Sequence, residues 1–137
     1  MNLVQQPIAN GQSSTALVFF SVLGQRFKVF SYLCNRIMPS KKIHKILVAN
    51  RGEIAARIIS TLKKLGINSV AIYADNDADS LHCRVADEAR PLGGGPLKDT
   101  YLNIQKIVDS ALDAVADAIH PGYGFLSENA EFAEACR

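Results

Sequence analysis

From about residue 43 the chain alternates short unbroken apolar runs with longer stretches in which apolar residues recur every three or four positions. The first run, Lys45-Ile-Leu-Val-Ala49, is apolar and partly β-branched, as suits a strand buried on both faces of a parallel sheet. Residues 53–65 then change rhythm. On a helical wheel Ile54, Ala55, Ile58, Ile59, Leu62 and Leu65 share one arc, opposite Arg57, Ser60, Thr61, Lys63 and Lys64, which predicts an amphipathic helix lying on a sheet. Gly66 stands where a left-handed stop residue is wanted, with two lysines before it at the negative end of the helix dipole.

The alternation repeats. Residues 69–73 form a second apolar strand, and Asp75-Asn76-Asp77-Ala78-Asp79 is a polar loop with several potential helix caps, leading into a short helix over 80–86. Residues 89–92 suit a third strand, broken by Gly93-Gly94-Gly95-Pro96. Ile104, Ile107, Val108, Ala111, Leu112 and Val115 have helical spacing, so this segment is expected to face the sheet as the first helix does. A fourth strand over 116–119 runs into the loop His120-Pro-Gly-Tyr-Gly-Phe-Leu-Ser-Glu-Asn129. A last helix, with Glu128 and Glu131 in its acidic first turn, is expected to continue to Arg137. Strand and helix in alternation define the fold class as α/β, an open, mostly parallel sheet with flanking helices, Rossmann-like in outline.

Length and composition fit one soluble globular domain: 137 residues, nearly half of them apolar and a fifth charged. Charge separates two regions. Residues 1–39 contain no Asp or Glu and carry Arg26, Lys28 and Arg36, with large apolar residues between them. This makeup leaves residues 1–40 as a leader, a targeting segment or a disordered extension; Arg26 and Lys28 keep it short of the ~18–20 apolar residues that a membrane span needs. The remainder is close to neutral, which gives no broad basic surface for nucleic acid. Cys34, Cys83 and Cys136 are odd in number and widely spaced, as expected for reduced thiols in the cytoplasm or the mitochondrial matrix.

In an open parallel sheet, ligands sit beyond the carboxyl ends of the strands, so the loops after each strand carry the candidate chemistry. Asn50-Arg51-Gly52-Glu53 has one glycine where a dinucleotide fingerprint needs three, which disfavours NAD, and Asp75 reads as a capping residue before a ribose ligand. Gly93-Gly94-Gly95 lacks the following Gly-Lys-Ser/Thr of a phosphate loop and reads as a turn. His120 has no nearby carboxylate or thiol partners in sequence, so it reads as a structural histidine and no metal ligand is assigned. Arg57 is either a solvated charge or, with Ser60 and Lys64, part of an interface stripe.

Four segments, Lys45-Ile-Leu-Val-Ala-Asn-Arg-Gly-Glu-Ile-Ala-Ala-Arg-Ile58, Ala86-Asp-Glu-Ala89, Thr100-Tyr-Leu-Asn-Ile104 and His120-Pro-Gly-Tyr-Gly-Phe-Leu-Ser-Glu-Asn129, together resemble the N-terminal, pre-ATP-grasp domain of biotin carboxylases. The resemblance implies that residues 41–137 are that domain, incomplete at its C-terminus. It further implies a ligase that uses ATP, Mg2+ and bicarbonate to carboxylate biotin on a carrier domain. The carboxyl group then passes to an acyl-CoA, pyruvate or urea. The family's ATP- and magnesium-binding residues lie downstream of these motifs, so these 137 residues alone are expected to be inactive and to bind none of the cofactors tightly.

By the same resemblance, Tyr123 and Gly124 border the biotin and bicarbonate pocket and Arg57 lies at a homodimer interface, while Asn50, Arg51, Gly52, Glu53, His120, Pro121 and Gly122 form structural loops. The implied partners are the remaining biotin carboxylase domains, the biotin carrier and the carboxyltransferase, with no nucleic acid and no membrane. The chain departs from the family's pattern at Leu92-Gly-Gly-Gly-Pro96 and at Ser60 and Lys64 beside Arg57. The alternative of a different class is a non-catalytic module that pairs with a full-length carboxylase.

Overall fold

The computed structural model describes residues 42–137 and one two-residue strand, β1 (Leu17–Val18). Apart from that strand, residues 1–40, read as a leader, a targeting segment or a disordered extension, and Cys34, read as a reduced thiol, lie outside the described residues. The elements that follow are β2 (Lys45–Val48), α1 (Gly52–Lys64), β3 (Asn68–Ala74), α2 (Leu81–Val85), β4 (Glu88–Gly93), α3 (Ile104–Asp113), β5 (Ala118–His120) and α4 (Ala130–Ala135). All described strand pairs are parallel, in the order β1-β5-β2-β3-β4. The expected open parallel sheet is therefore present.

Alternate residues of each strand feed opposite faces, which is why the central strands read as unbroken apolar runs. Leu47, Val70, Ile72 and Ile119 join Ile107 and Ala111 of α3 and Phe132 of α4 in one core layer. Ile46, Val48, Ala71 and Ala118 join Ala55, Ile59 and Leu62 of α1 in the other. Each fully buried aliphatic side chain contributes on the order of 1.5–3 kcal/mol relative to exposure. Asp117 fixes the start of β2 by accepting the N–H groups of His44 and Lys45 at 2.9 and 3.1 Å. The hydroxyl and N–H of Ser69, which donate to Asp87 at 2.7 and 2.8 Å, hold that carboxyl below its usual range and align β3 with β4.

Helix ends differ from the periodic expectation in three places. Leu65 is the C-cap of α1 and 66% exposed, because Gly66 at φ 68° turns the chain away: Ile67 N–H bonds to Leu62 O and Gly66 N–H to Lys63 O. Leu112 is exposed, and Val115 lies past the end of α3 with φ 52° and 75% exposure, so Ala114 takes the buried place. The last helix does not continue to Arg137: it ends at Ala135, and Cys136 N–H bonds to Phe132 O as the cap. The fourth strand starts two residues later than expected and ends one residue later, at Ala118–His120. At the short helix the polar loop supplies no side-chain cap: Ser80 is the N-cap of α2 and Ala74 that of the 3-10 turn Asp75–Asp77, neither making a cap bond, so the capping role expected of Asp75 is not found there. No helix among the described residues is long and apolar enough to cross a membrane.

Candidate functional site

The strand order places a topological switch beside β2. From β2 the chain moves outward through β3 to β4, then returns to lay β5 on the other side of β2. The crevice that such a reversal opens lies at the carboxyl ends of β2 and β5. At one lip are Asn50, Arg51 and Gly52, and at the other His120 through Gly124.

Asn50 spans the two lips. Its side chain is buried, and Nδ2 donates to Pro121 O at 2.8 Å and Tyr123 O at 2.9 Å, while Oδ1 accepts Arg51 N–H at 2.9 Å. Both amide protons and the amide oxygen are thus used, which is how an uncharged polar group is accommodated in the interior. Gly122 packs directly above it: a Cβ there would stand 2.8 Å from Asn50 Nδ2 and 3.0 Å from Ile54 Cγ2, and the backbone is left-handed at φ 69°. Only glycine meets both conditions without displacement.

His120 Nδ1 accepts Gly122 N–H at 3.0 Å, which fixes this nitrogen as unprotonated and places the ring proton on Nε2. Burial lowers the imidazole's affinity for a proton, partly offset by the bond at its own backbone, so the neutral ring is the one that closes the turn.

Beyond the turn, Tyr123 is 61% exposed and Gly124, φ 69°, has nothing within 4 Å of the place a Cβ would occupy. The pair is an aromatic face beside open backbone. Phe125 next to it, φ 41°, stacks on Tyr101 with ring centroids 5.4 Å apart and an interplanar angle of 7°.

A second group ties the end of β3 to the same rim. Tyr101 is 1% exposed; its hydroxyl accepts Ala74 N–H at 3.0 Å and donates to Asp77 Oδ2 at 2.7 Å. The same carboxylate accepts Arg51 Nη1 at 2.9 Å, and the Arg51 guanidinium carbon lies 5.7 Å from the Tyr101 ring centre. Burial, then the bond to Asp77, pushes the phenol well above its usual range, so the hydroxyl stays protonated as a donor. Asp77, Tyr101 and Phe125 were not among the residues singled out by sequence. Tyr101 lies in one of the four resembling segments, which is the one signal that marked its neighbourhood.

Arg57 and Glu53 are elsewhere. They form an exposed pair on α1 at 3.2 Å, with Arg57 77% exposed. On its other flank α1 meets α2, where Ala56, Ile59, Ser60, Lys63, Leu81 and Val85 line a shallow cavity of about 320 Å³. Among the described residues no three His, Cys, Asp or Glu side chains converge as metal ligands would.

A parallel α/β domain whose strand-end loops are locked together at a switch point belongs to the broad class that presents ligands at that rim. The family model described as the biotin carboxylase N-terminal domain matches residues 42–137, and the chain belongs to that family.

Among its relatives, the mouse methylcrotonoyl-CoA carboxylase subunit alpha, mitochondrial, is 54% identical over 99 residues, covering 72% of this chain and 14% of that protein. Bacillus subtilis biotin carboxylase 1 is 56% identical over 94 residues, covering 69% of this chain and 21% of that protein. The solved Kluyveromyces lactis urea carboxylase superposes with a TM-score of 0.68 at 52% identity, over 71% of this chain and 9% of that one. The biotin carboxylase domain dimer of Hydrogenobacter thermophilus 2-oxoglutarate carboxylase, solved with ADP, its magnesium salt and bicarbonate, gives 0.67 at 55% identity, over 71% and 21%. The chain therefore spans a small fraction of each of these proteins.

Proposed function

We propose that this chain is the opening domain of a biotin carboxylase, a ligase that as a whole enzyme uses ATP, Mg2+ and bicarbonate to carboxylate biotin on a carrier domain and feeds an acyl-CoA, pyruvate or urea carboxylase. The observation that carries the reading is the match of the family over residues 42–137, in which both lips of the switch-point crevice fall.

Within that enzyme the domain's task is to build one wall of the ligand site. Tyr123 offers a rigid amphipathic face on which a flat ureido ring can pack, and Gly124 lets a ligand approach the backbone. Asn50 and the neutral His120 hold that loop. Magnesium and ATP do not fit here: the described residues bring no carboxylate cluster together, and the turn at Gly52 lacks the glycines that let a backbone cradle phosphates. No chemical step is assigned to these residues, and the 137-residue chain by itself is expected to show no bicarbonate-dependent ATP hydrolysis.

The exposed Arg57 face is read as part of a homodimer interface. The other partners are the carrier domain, the carboxyltransferase and the remaining biotin carboxylase domains. Relatives named as mitochondrial in mouse and rice, beside bacterial ones, accord with the mitochondrial matrix or the cytoplasm as the setting.

The test is a chimera: Bacillus subtilis biotin carboxylase 1 with its aligned segment replaced by residues 42–137. A folded chimera is expected to carboxylate free biotin with ATP and bicarbonate. A chimera that folds and dimerises yet does neither this nor bicarbonate-dependent ATP hydrolysis contradicts the reading.

A further inference from the structure

The loop carrying Tyr123 and Gly124 is gripped from two sides. On one side Asn50 bonds Pro121 O and Tyr123 O at 2.8 and 2.9 Å. On the other, Phe125 is held in a left-handed backbone at φ 41° while its ring lies flat on Tyr101. A non-glycine residue keeps that conformation only where its surroundings over-determine it, and the stacked Tyr101 ring is the aromatic partner that does so.

Tyr101 is in turn pinned through its hydroxyl. Ala74 N–H at the end of β3 donates to it and Asp77 Oδ2 accepts from it, and Arg51 secures Asp77. A buried tyrosine serving the core alone would need only a partner for its hydroxyl. Here the partner is a charged carboxylate, itself fixed by an arginine of the opposite lip of the crevice. The chain of contacts Arg51, Asp77, Tyr101, Phe125 runs from one lip of the switch point, past the end of β3, to the other.

We propose that Tyr101, held by Asp77 and Arg51, is a positioning residue that sets the Tyr123–Gly124 loop at the height and angle a flat heterocyclic ligand requires. This rests on the reading of that loop as the biotin side of the crevice. Tyr101 is buried and does not meet the ligand; it acts through Phe125.

The first arm uses the 137-residue chain. Tyr101→Phe keeps the stack and removes both hydroxyl bonds. Amide exchange at Ser127 and Asn129, whose N–H groups bond back to Gly124 O and Leu126 O at 2.9 and 3.1 Å, is expected to quicken about tenfold, the size expected for a hydrogen bond to a charged partner. Rates at 46–48 and 70–72 are expected to stay unchanged. Unchanged exchange at the loop, or equal quickening at both sets, overturns the proposal. Phe125→Leu, which removes the stack without touching the hydroxyl, is expected to quicken the same loop amides, and a loop indifferent to it is equally contradictory.

The second arm uses the chimera. Tyr101→Phe is expected to raise the KM for free biotin several-fold while kcat and the KM for ATP hold, a split that a general loss of stability would not give. An unmoved biotin KM overturns the proposal. If the unsubstituted chimera folds but is inactive, the proposed function has failed instead, and the exchange arm decides the contact chain by itself.

Discussion

The loop after β5 and the outer face of α1 both offered candidate residues in the sequence, and the structure builds them in opposite ways. At the loop, Asn50, Gly122 and His120 interlock through short bonds in a largely buried setting, leaving Tyr123 and Gly124 open to solvent. On α1, the Arg57 guanidinium forms an exposed pair with Glu53 one turn away, worth about 0.3–0.5 kcal/mol. A rim with a locked frame and an exposed tip is suited to receive a ligand, because the geometry is fixed before binding. A solvated charged face gains its role only when another surface covers it.

Substitutions at the frame should break this contrast most clearly. Gly122→Ala combines a left-handed backbone with a Cβ 2.8 Å from Asn50 Nδ2. It is expected to cost on the order of 3 kcal/mol in urea unfolding and to shift the loop; a loss comparable to an ordinary surface change would show that the loop is not locked. Asn50→Ala leaves two carbonyls and the Arg51 N–H without their partner, for a loss of about 2 kcal/mol. Near-neutral stability there would mean that water replaces the bridge.

The pH dependence should be smaller. Burial lowers the proton affinity of His120 and of His82, a fully buried residue of α2 whose Nε2 lies 3.2 Å from Ile72 O, below the ordinary value of 6.5. The unfolded chain therefore binds more protons in this range, so the stability from keeping both rings neutral is full above 6.5. It is lost progressively as pH falls from there through the lowered folded values. The urea midpoint is expected to decline over about pH 7 to 5, and a flat or rising midpoint contradicts the burial of these rings. At the small end, Arg57→Ala should change the stability of the 137-residue chain by no more than about 0.5 kcal/mol. A larger loss would move Arg57 from a solvated face into the frame.

How far the sequence revealed this arrangement depends on the range of the interaction. β2, α1 and β3 were legible because strand and helix periods are local, and because Gly66 after Lys63 and Lys64 marks a helix end. The burial of Leu65, Leu112 and Val115 was misjudged: periodicity continues past the residue at which the hydrogen-bond ladder stops, and the exposed cap residues follow the turn instead. At the rim, the rule that ligands sit after strands drew attention to the loops at Asn50 and His120, whereas Tyr123 was singled out only by the resemblance. The pairing of Asn50 with Tyr123 spans 73 positions, and that of Tyr101 with Asp77 spans 24. No local pattern encodes such separations, so Asp77 read as one of several potential helix caps, and Phe125 and Arg51 as further residues of the resembling segments, with nothing to show what they touch.

If the strand-end rim, not the α1 face, meets the flat-ring substrate, binding depends on the Tyr123 ring. The KM for free biotin of the Bacillus subtilis chimera carrying Tyr123→Ala tests it most directly. Packing of the ureido ring on Tyr123 predicts a rise of about tenfold, the value of one lost aromatic contact, with the KM for ATP and the dimer's sedimentation unchanged. A biotin KM equal to that of the unsubstituted chimera would contradict it.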